Sequence, residues 1–540
     1  MIYAPVLFVF IPIIIAIAVF LIKSPKAHYL VFLSQAALIV LFVLYALFLS
    51  ANPDQNIIVF GGWDARFAIS FYNDWLSLVF IGLTIFMWTV ILLYTFKINY
   101  AQKKLFFFLM FLEGVFLGLI QTNDLFNMFV FLELTTVLVT ILIVYRKGGE
   151  AFKAGLQYML LNTVAAMFFL IGIILLYYVY GTINIRVIAS EIALYSDYNI
   201  VKFAYVLMIT GLCVKAALFP LFTWLPRAHG VAQASISALL SGLIVKAALY
   251  IFLRVNFDMF SNAYSMSEMF FWLGAISALV GVVIAMSQKD LKQILAYHTV
   301  SQVGIIMMGL AATGPIETLF TNPAAFGGLL HAVNHAVFKS LLFLAAGSII
   351  RVYQTKKVYE IRGVFKTMPW TAIVLIVAML SITGAPFFNG FISKSLIKYG
   401  FKQDALKMIV FTIVNLGTMI SFVKFSQILF GPKQKLIVDR QYKQHFAMSL
   451  LAIASLVIGL AYYPIFKSLF ALTWGGALYL DYLIYIEYIG YMALAVLIFH
   501  FVVKRDYLPF RLLRGSPISF LTANSIFVFS MIVIGLFVFL

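Results

Sequence analysis

The sequence predicts an all-α polytopic membrane protein, and three observations support this prediction. Hydrophobic residues make up 64% of the chain and charged residues only 10%, whereas soluble domains carry about 25% charged residues. The apolar residues are grouped into segments of roughly 20, which is the length that an α-helix needs to cross a bilayer. The loops between these segments alternate between basic and acidic composition, which is typical of a polytopic membrane protein.

Sixteen apolar segments follow one another along the chain. Residues 2–22 are interpreted as the first membrane span, because they lack the early basic stretch and the small-residue cleavage site of a signal peptide. The segments are 2–22, 29–50, 75–96, 105–121, 125–145, 156–180, 200–222, 231–253, 268–288, 294–313, 324–350, 369–397, 405–430, 446–471, 483–503 and 518–540.

The charge of the loops predicts the orientation of the chain. One alternate set of loops contains 24 basic and five acidic residues, and the other contains seven basic and twelve acidic residues. The basic set is therefore expected in the cytoplasm, with both termini outside the cell membrane. The net charge of +18 follows from this arrangement, so we expect no nucleic-acid partner.

The chain contains a single cysteine, Cys213. Disulfides, thiolate zinc sites and iron–sulfur clusters are therefore excluded within this chain. We expect no cofactor and no metal, and no redox or hydrolytic site, so that any redox chemistry must belong to a partner.

Eight charged residues remain inside the apolar segments once the loops are accounted for, with four residues near segment ends counted with the loops: Lys202, Glu268, Lys407 and Glu487. A charge at membrane depth costs several kcal/mol and usually belongs to an ion pathway, a proton relay or a substrate site. The eight residues are Glu113, Glu133, Lys215, Lys246, Lys339, Lys394, Lys424 and Lys467.

Glu133 lies midway along its segment, where it could ionise beside a lysine or remain a neutral, hydrogen-bonded carboxyl group. Lys215 precedes Pro220, which breaks the helix, and broken helices at membrane depth line wet cavities or buried sites. Lys246 is central in its segment, where lost hydration favours a neutral amine that exchanges protons near neutral pH. The alternative for either lysine is that it extends to the membrane interface.

His331, His335 and Lys339 are spaced four residues apart and therefore share one helix face. Because histidine both gives and takes a proton near neutral pH, this spacing favours a proton relay, which His298 could extend. Two alternatives stay open: a metal or haem held by the two histidines, and ordinary hydrogen-bonded packing.

Lys394 follows a second break, at Gly384, Pro386 and Gly390. Lys424 follows Lys394 by 30 residues, close to the 31 residues by which Lys246 follows Lys215. The two broken segments are five helices apart. Interrupted helices in matching positions of opposite topology are typical of inverted repeats.

Six blocks between about residues 70 and 430 resemble the antiporter-like subunits of respiratory complex I and their relatives in Mrp-type antiporters and membrane-bound hydrogenases. The blocks are "FVFLEL", "VKAALFPLFTWLPRAH", "SGLIVKAALY", "QKDLKQILAYHTVSQVG", "HAVNHAVFKSLLFLAAG" and "GAPFFNGFISK". With a lysine at position 394, this chain is most similar to the Mrp D-type subunit and to its counterparts in hydrogenases and sulfane reductases.

The resemblance implies a fourteen-helix core with two inverted five-helix repeats and broken helices 7 and 12, to which this chain adds about two C-terminal helices. The implied divisions are N-terminal helices 1–3 (1–104), a first repeat with helices 4–8 (105–255), a second repeat with helices 9–13 (268–430) and C-terminal helices 14–16 (440–540).

The resemblance also implies a function, proton translocation along a central axis by one subunit of a multisubunit membrane complex. The complex could be a cation/proton antiporter or an Mrp-related respiratory complex, and sodium transport and the redox module are left open. By this resemblance, Glu133 and Lys215 match the family's ion pair, and Glu113 matches a second carboxylate. Lys246 matches the central lysine and Lys394 the terminal ionisable group. His331 and His335 match the bridging residues, and Lys339 lies beside them in the sequence.

Two functions from other classes remain as alternatives. A stand-alone secondary transporter could use the basic residues of the broken helices to hold an anionic solute. A redox subunit could bind haem or quinone through His331 and His335.

Overall fold

The computed structural model describes most of the chain as α-helix. Thirteen helices among the described residues are long and apolar enough to cross a membrane, which confirms a multi-pass membrane protein. The structure describes all residues except 97–101, 146–147, 261–262, 265, 313, 315, 435, 437–441, 471–481, 508–510, 515–519 and 540. Position 471 and positions 518–519 and 540 of the predicted segments 446–471 and 518–540 therefore lie outside the described residues.

The chain is divided into two compact units. Unit 1 comprises Met1–Ala216, Leu243–Ser265 and Asn524–Leu540, and unit 2 comprises Ala217–Gly242 and Met266–Ala523. The division into four parts that the resemblance implies stays a prediction, as do the inverted repeats and the orientation of the termini.

The helices of the first part of the chain are joined by short loops and one antiparallel pair of strands, β1 and β2. The elements are α1 (Ala4–Leu21), α2 (Tyr29–Ala51), β1 (Ile57–Val59), β2 (Ser70–Tyr72), α3 (Trp75–Thr95), α4 (Lys103–Gln121), α5 (Leu125–Val144), α6 (Gly149–Tyr180), α7 (Ile185–Tyr195) and α8 (Asn199–Lys215).

The remaining helices follow in the same manner, and three of them are continued by π-helical segments. They are α9 (Trp224–Val231), α10 (Ala234–Leu239), π segment Leu240–Ile244, α11 (Val245–Phe252), π segment Leu253–Met259, α12 (Ser267–Ser287), α13 (Leu291–Leu310), α14 (Pro323–Tyr353), α15 (Val364–Thr367), α16 (Pro369–Thr383), α17 (Asn389–Gly400), α18 (Ala405–Ser426), α19 (Tyr442–Phe470), α20 (Tyr482–Ile498), π segment Phe499–Val503 and α21 (Phe520–Phe539).

Polar caps set the first residue of several membrane helices. Backbone N–H groups at a helix start have no partner within the helix, and an Asp or Asn side chain at the cap position accepts from them. The cap residues of this kind are Asp74 (α3), Asp124 (α5), Asn184 (α7), Asp290 (α13), Asn322 (α14) and Asp404 (α18).

The two segments that were predicted to contain a broken helix are both interrupted in the structure. Segment 200–222 is helical as α8 and then leaves the helix before α9, and segment 369–397 is divided into α16 and α17. The helical stretch that carries Lys246 is also irregular, since π segments lie on both sides of α11. Such π segments occur frequently at functional sites.

Candidate functional site

Glu133 and Lys215 form an ion pair in unit 1. The Lys215 Nζ lies 3.7 Å from the Glu133 Oε1 and donates to the Thr136 hydroxyl at 3.0 Å. The Thr163 hydroxyl donates to the other carboxylate oxygen of Glu133 at 3.3 Å. The Lys215 side chain is 6% exposed and that of Glu133 is 21% exposed, so the pair is largely removed from solvent.

The break in segment 200–222 places Lys215 at the last residue of α8. Ala217 follows in the left-handed region with φ of 56°, which ends the helix. A cation at this position interacts favourably with the negative end of the helix dipole. The local backbone therefore stabilises a charged lysine that the apolar surroundings alone would disfavour.

Glu113 is completely buried and is held by residues other than the Glu133–Lys215 pair. The Gln35 side-chain amide donates to both of its carboxylate oxygens, at 3.0 and 2.7 Å. Gln35 in turn accepts from the Thr89 hydroxyl at 2.8 Å. Glu113 thus belongs to a polar contact between α2, α3 and α4.

Lys246 lies on α11 with no exposed surface. Tyr250 and Arg254 follow at intervals of four residues, so one face of this helical stretch carries polar groups from Lys246 toward its end. The Tyr250 hydroxyl contacts the Ser77 hydroxyl at 3.1 Å and the carbonyl of Ile120.

Arg254 is a buried charge that was counted with the loops, because the predicted segment 231–253 ends one residue before it. The helical stretch continues to Met259, and Arg254 is 3% exposed. Its guanidinium is paired with Asp74 and Asp258, two further residues that the sequence interpretation assigns to loops.

His331 of α14, in unit 2, has a polar partner at each ring nitrogen. Its Nδ1 lies 2.8 Å from the Ser393 hydroxyl and its Nε2 lies 3.0 Å from the Gln302 side-chain oxygen. Because Ser393 is on α17 and Gln302 is on α13, the imidazole connects three helices. Ser393 directly precedes Lys394 in the chain.

His335 and Lys339 continue the same face of α14, and both are completely buried. The ring centroids of His331 and His335 are 6.4 Å apart, and the Lys339 Nζ lies 5.8 Å from the Phe343 ring. His298 of α13 is also buried and packs against Phe422. Among the described residues, no three His, Cys, Asp or Glu side chains are grouped as ligands of a metal would be.

Lys394 caps the end of the first half of the second broken segment. Its Nζ donates to the Ile382 carbonyl at 2.6 Å, in the last turn of α16. Gly384 then turns the chain with φ of +80°, a conformation that glycine adopts without strain. Lys215 is likewise associated with a helix end, since it is the last residue of α8 whereas the Lys394 amine bonds to the last turn of α16.

Lys424 and Lys467 lie away from these groups. The Lys424 Nζ donates to the Met286 carbonyl at 2.8 Å, and Lys467 is exposed beside the Tyr463 ring.

Sequence reasoning did not identify the hydroxyl partners of the site. Thr136, Thr163 and Ser393 each bond an ionisable residue on another helix. A threonine three residues after Glu133 and a serine directly before Lys394 are weak signals, because hydroxyl groups in membrane helices also bond to their own backbone.

The fold and the site together define a class of polytopic membrane protein in which buried ionisable residues lie beside broken helices. Residues 122–421 match the sequence model of the family Proton_antipo_M, described as NADH:quinone oxidoreductase/Mrp antiporter, TM. The chain belongs to this family.

Curated relatives include antiporter and oxidoreductase subunits. The D-type subunit of the Na+/H+ antiporter of Alkalihalophilus pseudofirmus is 30% identical over 476 residues, covering 85% of this chain and 95% of the relative. The N-type subunit of the NADH-quinone oxidoreductase of Desulforudis audaxviator is 32% identical over 316 residues, covering 58% of this chain and 61% of the relative.

Two solved structures share the fold. A chain of the membrane-bound sulfane sulfur reductase, an archaeal respiratory membrane complex, superposes with a TM-score of 0.78 at 26% identity, covering 86% of this chain and 95% of that chain. A chain of the Mrp complex from Dietzia superposes with a TM-score of 0.76 at 22% identity, covering 86% and 96%.

Proposed function

We propose that this chain is a proton-translocating, antiporter-like subunit of a multisubunit membrane complex. The complex is an Mrp-type cation/proton antiporter or an Mrp-related respiratory complex. Several relatives are named as subunits, one of them of a Na+/H+ antiporter, and the structural neighbours come from membrane complexes. Its partners are therefore other membrane subunits, the lipid bilayer and protons, with sodium as a further candidate ion.

The buried ion pair between Glu133 and Lys215 carries the proposal. At the 3.7 Å that separates the charged atoms, two unit charges interact by about 4 kcal/mol at an effective dielectric constant of 20. Thr136 and Thr163 provide neutral partners for each charge. The pair can thus separate without leaving either group unbonded, which is what a switch requires.

Lys246 is the proposed proton-accepting group that this switch controls. While Glu133 neutralises Lys215, a second positive charge on Lys246 meets little repulsion, so Lys246 takes up a proton. When the pair separates, the charge of Lys215 repels that proton. Two positive charges about 6 Å apart would repel each other by about 3 kcal/mol, which corresponds to roughly a hundredfold change in proton affinity.

The polar residues of unit 2 are the proposed continuation of the route. His331 and His335 can accept and release protons near neutral pH, and Lys339 and Lys394 provide further amines beside them. The His331 Nε2–H donates to the Gln302 side-chain oxygen and the Ser393 hydroxyl donates to Nδ1, which fixes the orientation of the ring. Glu113, which also lies in unit 1, is assigned an accessory electrostatic role.

The test is ion transport by the purified complex in proteoliposomes. We expect Lys246→Ala to abolish proton movement while the complex still assembles. Lys467→Ala is the matched control, because it removes an exposed lysine from another membrane helix and is expected to transport normally. Wild-type transport by Lys246→Ala would overturn the proposal.

A further inference from the structure

A partly open cavity lies next to Lys394 in unit 2. The space that the centres of water molecules can occupy is about 90 Å³, and one water requires about 10–15 Å³ on this measure. The cavity therefore has room for several waters. Its lining includes Thr383, Lys394, Lys398, Asn415, Glu487 and Tyr488.

One wall of this cavity comes from α20, which lies outside the residues that the family model matches. Glu487 of α20 forms an ion pair with Lys398 of α17. The Tyr488 hydroxyl contacts the Thr383 hydroxyl at 3.1 Å. The helix is thus fixed by polar contacts to both halves of the second broken segment, α16 and α17.

The ionisable groups around the cavity differ in their exposure to solvent. Lys394 is 6% exposed, whereas the Lys398 and Glu487 side chains are 35% and 36% exposed. Lys398 follows Lys394 by one helical turn, a rise of about 6 Å. A water-sized space thus connects a buried amine to a carboxylate that is partly accessible.

We propose that Glu487 is the proton-release group for Lys394, which rests on the proposed function of this chain. The ammonium group of Lys394 gives its proton to water in the cavity, and the Glu487 carboxylate accepts it once its contact with Lys398 opens. Glu487 then releases the proton to bulk solvent and pairs with Lys398 again. Helix α20 therefore supplies the last acid–base group of the route.

The alternative is that the Lys398–Glu487 pair only attaches α20 to α17. A purely structural ion pair should respond equally to the loss of either partner. A release group should respond unequally, because Glu487→Gln removes the proton acceptor whereas Lys398→Gln leaves it in place.

The experiment measures proton transport by the purified complex in proteoliposomes between pH 5 and 9. We expect Glu487→Gln to slow transport about tenfold or more, since a positioned acid–base group typically contributes 10²–10⁴-fold, and Glu487→Asp to restore part of the rate. Lys398→Gln is expected to lower the rate less than Glu487→Gln and to shift the pH profile, because the proton acceptor remains while its counter-charge is removed. Glu268→Gln is the matched control, because Glu268 pairs with Lys407 away from the cavity.

Equal losses in Glu487→Gln and Lys398→Gln, or normal transport by Glu487→Gln, would overturn the inference. Normal transport by Lys246→Ala would instead overturn the proposed function, so the two failures are distinguishable. If Glu487→Gln does not assemble, Ser395→Cys tests the cavity directly, since Ser395 lines it. A water-soluble methanethiosulfonate should label this cysteine and block transport, and failure to label it would contradict a wet release path.

Discussion

The guanidinium of Arg254 forms two parallel hydrogen bonds with the carboxylate of Asp74, at 2.5 and 2.8 Å. Its remaining N–H groups donate to Ser77, Asp258 and Tyr250. All five donors of the side chain are therefore used. This buried pair joins the helical stretch that carries Lys246 to the first turn of α3.

Arg254→Gln is expected to destabilise the protein strongly. The substitution leaves Asp74 without its cation and Asp258 with only the longer contact to Arg186. Removing one partner of a buried pair costs about 3–5 kcal/mol. Thermal unfolding can be followed through labelling of Cys213, which is buried and is the only cysteine of the chain. Arg66→Gln is the control, since its pair with Glu191 is partly exposed and should contribute less than about 1 kcal/mol.

The same pair predicts an acid-dependent loss of stability. Burial opposes ionisation of Asp74, but the adjacent Arg254 guanidinium holds the pKa of its carboxyl below the ordinary value of 3.8. A carboxyl whose pKa is lower in the folded state contributes stability above that ordinary value and loses it as the pH falls through the folded value. The difference in unfolding temperature between wild type and Asp74→Asn should therefore be largest near neutral pH and shrink below about pH 4. A difference that stays constant from pH 7 to pH 3 would contradict this assignment.

Hydropathy predicted the helices well because it is a local property of the chain. The sixteen segments correspond to helices in the described residues, and Pro220 and Gly384 lie within the two breaks. The Glu133–Lys215 pair was also anticipated, since an isolated charge at membrane depth needs a partner. These features depend on the residue itself or on its immediate neighbours.

Charges near helix ends were harder to assign, because their partners are distant in the sequence. Arg254 resembles a loop residue until Asp74, 180 positions away, supplies its carboxylate. Glu487 was likewise counted with a loop, although its partner Lys398 is 89 positions away. Hydropathy does not contain this information. The ion pairs of Arg254 and the cavity beside α20 could therefore be identified only from the structure.

Glu133→Gln should reduce proton transport by an order of magnitude or more while leaving the helices intact. The amide keeps the size of the side chain and can still bond Thr163, but it removes the charge that interacts with Lys215 by about 4 kcal/mol. The measurement is proton uptake by proteoliposomes containing the complex. Glu150→Gln is the control, because Glu150 pairs with Lys153 at a highly exposed site; equal rates in the two variants would argue against a switching role for Glu133.

Ser393→Ala should impair transport through the orientation of His331. The substitution removes the 2.8 Å partner of Nδ1 while Gln302 still contacts Nε2, so the ring loses one of the two contacts that fix its tautomer. We expect a reduced rate with little change in unfolding temperature, whereas Ser393→Thr should retain part of the rate. The exposed Ser190→Ala, which removes only a bond to its own helix backbone, should have no effect on either measurement.

Gly390→Ala should prevent the close approach of α17 to α16. A Cβ at position 390 would lie 1.8 Å from the Ser381 carbonyl oxygen, and a backbone atom cannot move aside as a side chain can. Overpacking of this kind typically costs 1–3 kcal/mol or more, and it would displace the helix that carries Lys394. Gly490→Ala on α20 is the matched control, because no atom lies within 4 Å of its added methyl group and alanine favours a helix by up to about 1 kcal/mol. Thermal inactivation of the purified complex should therefore occur at a lower temperature for Gly390→Ala and at an equal or higher temperature for Gly490→Ala; the same shift in both variants would show that the contact between α16 and α17 is not limiting.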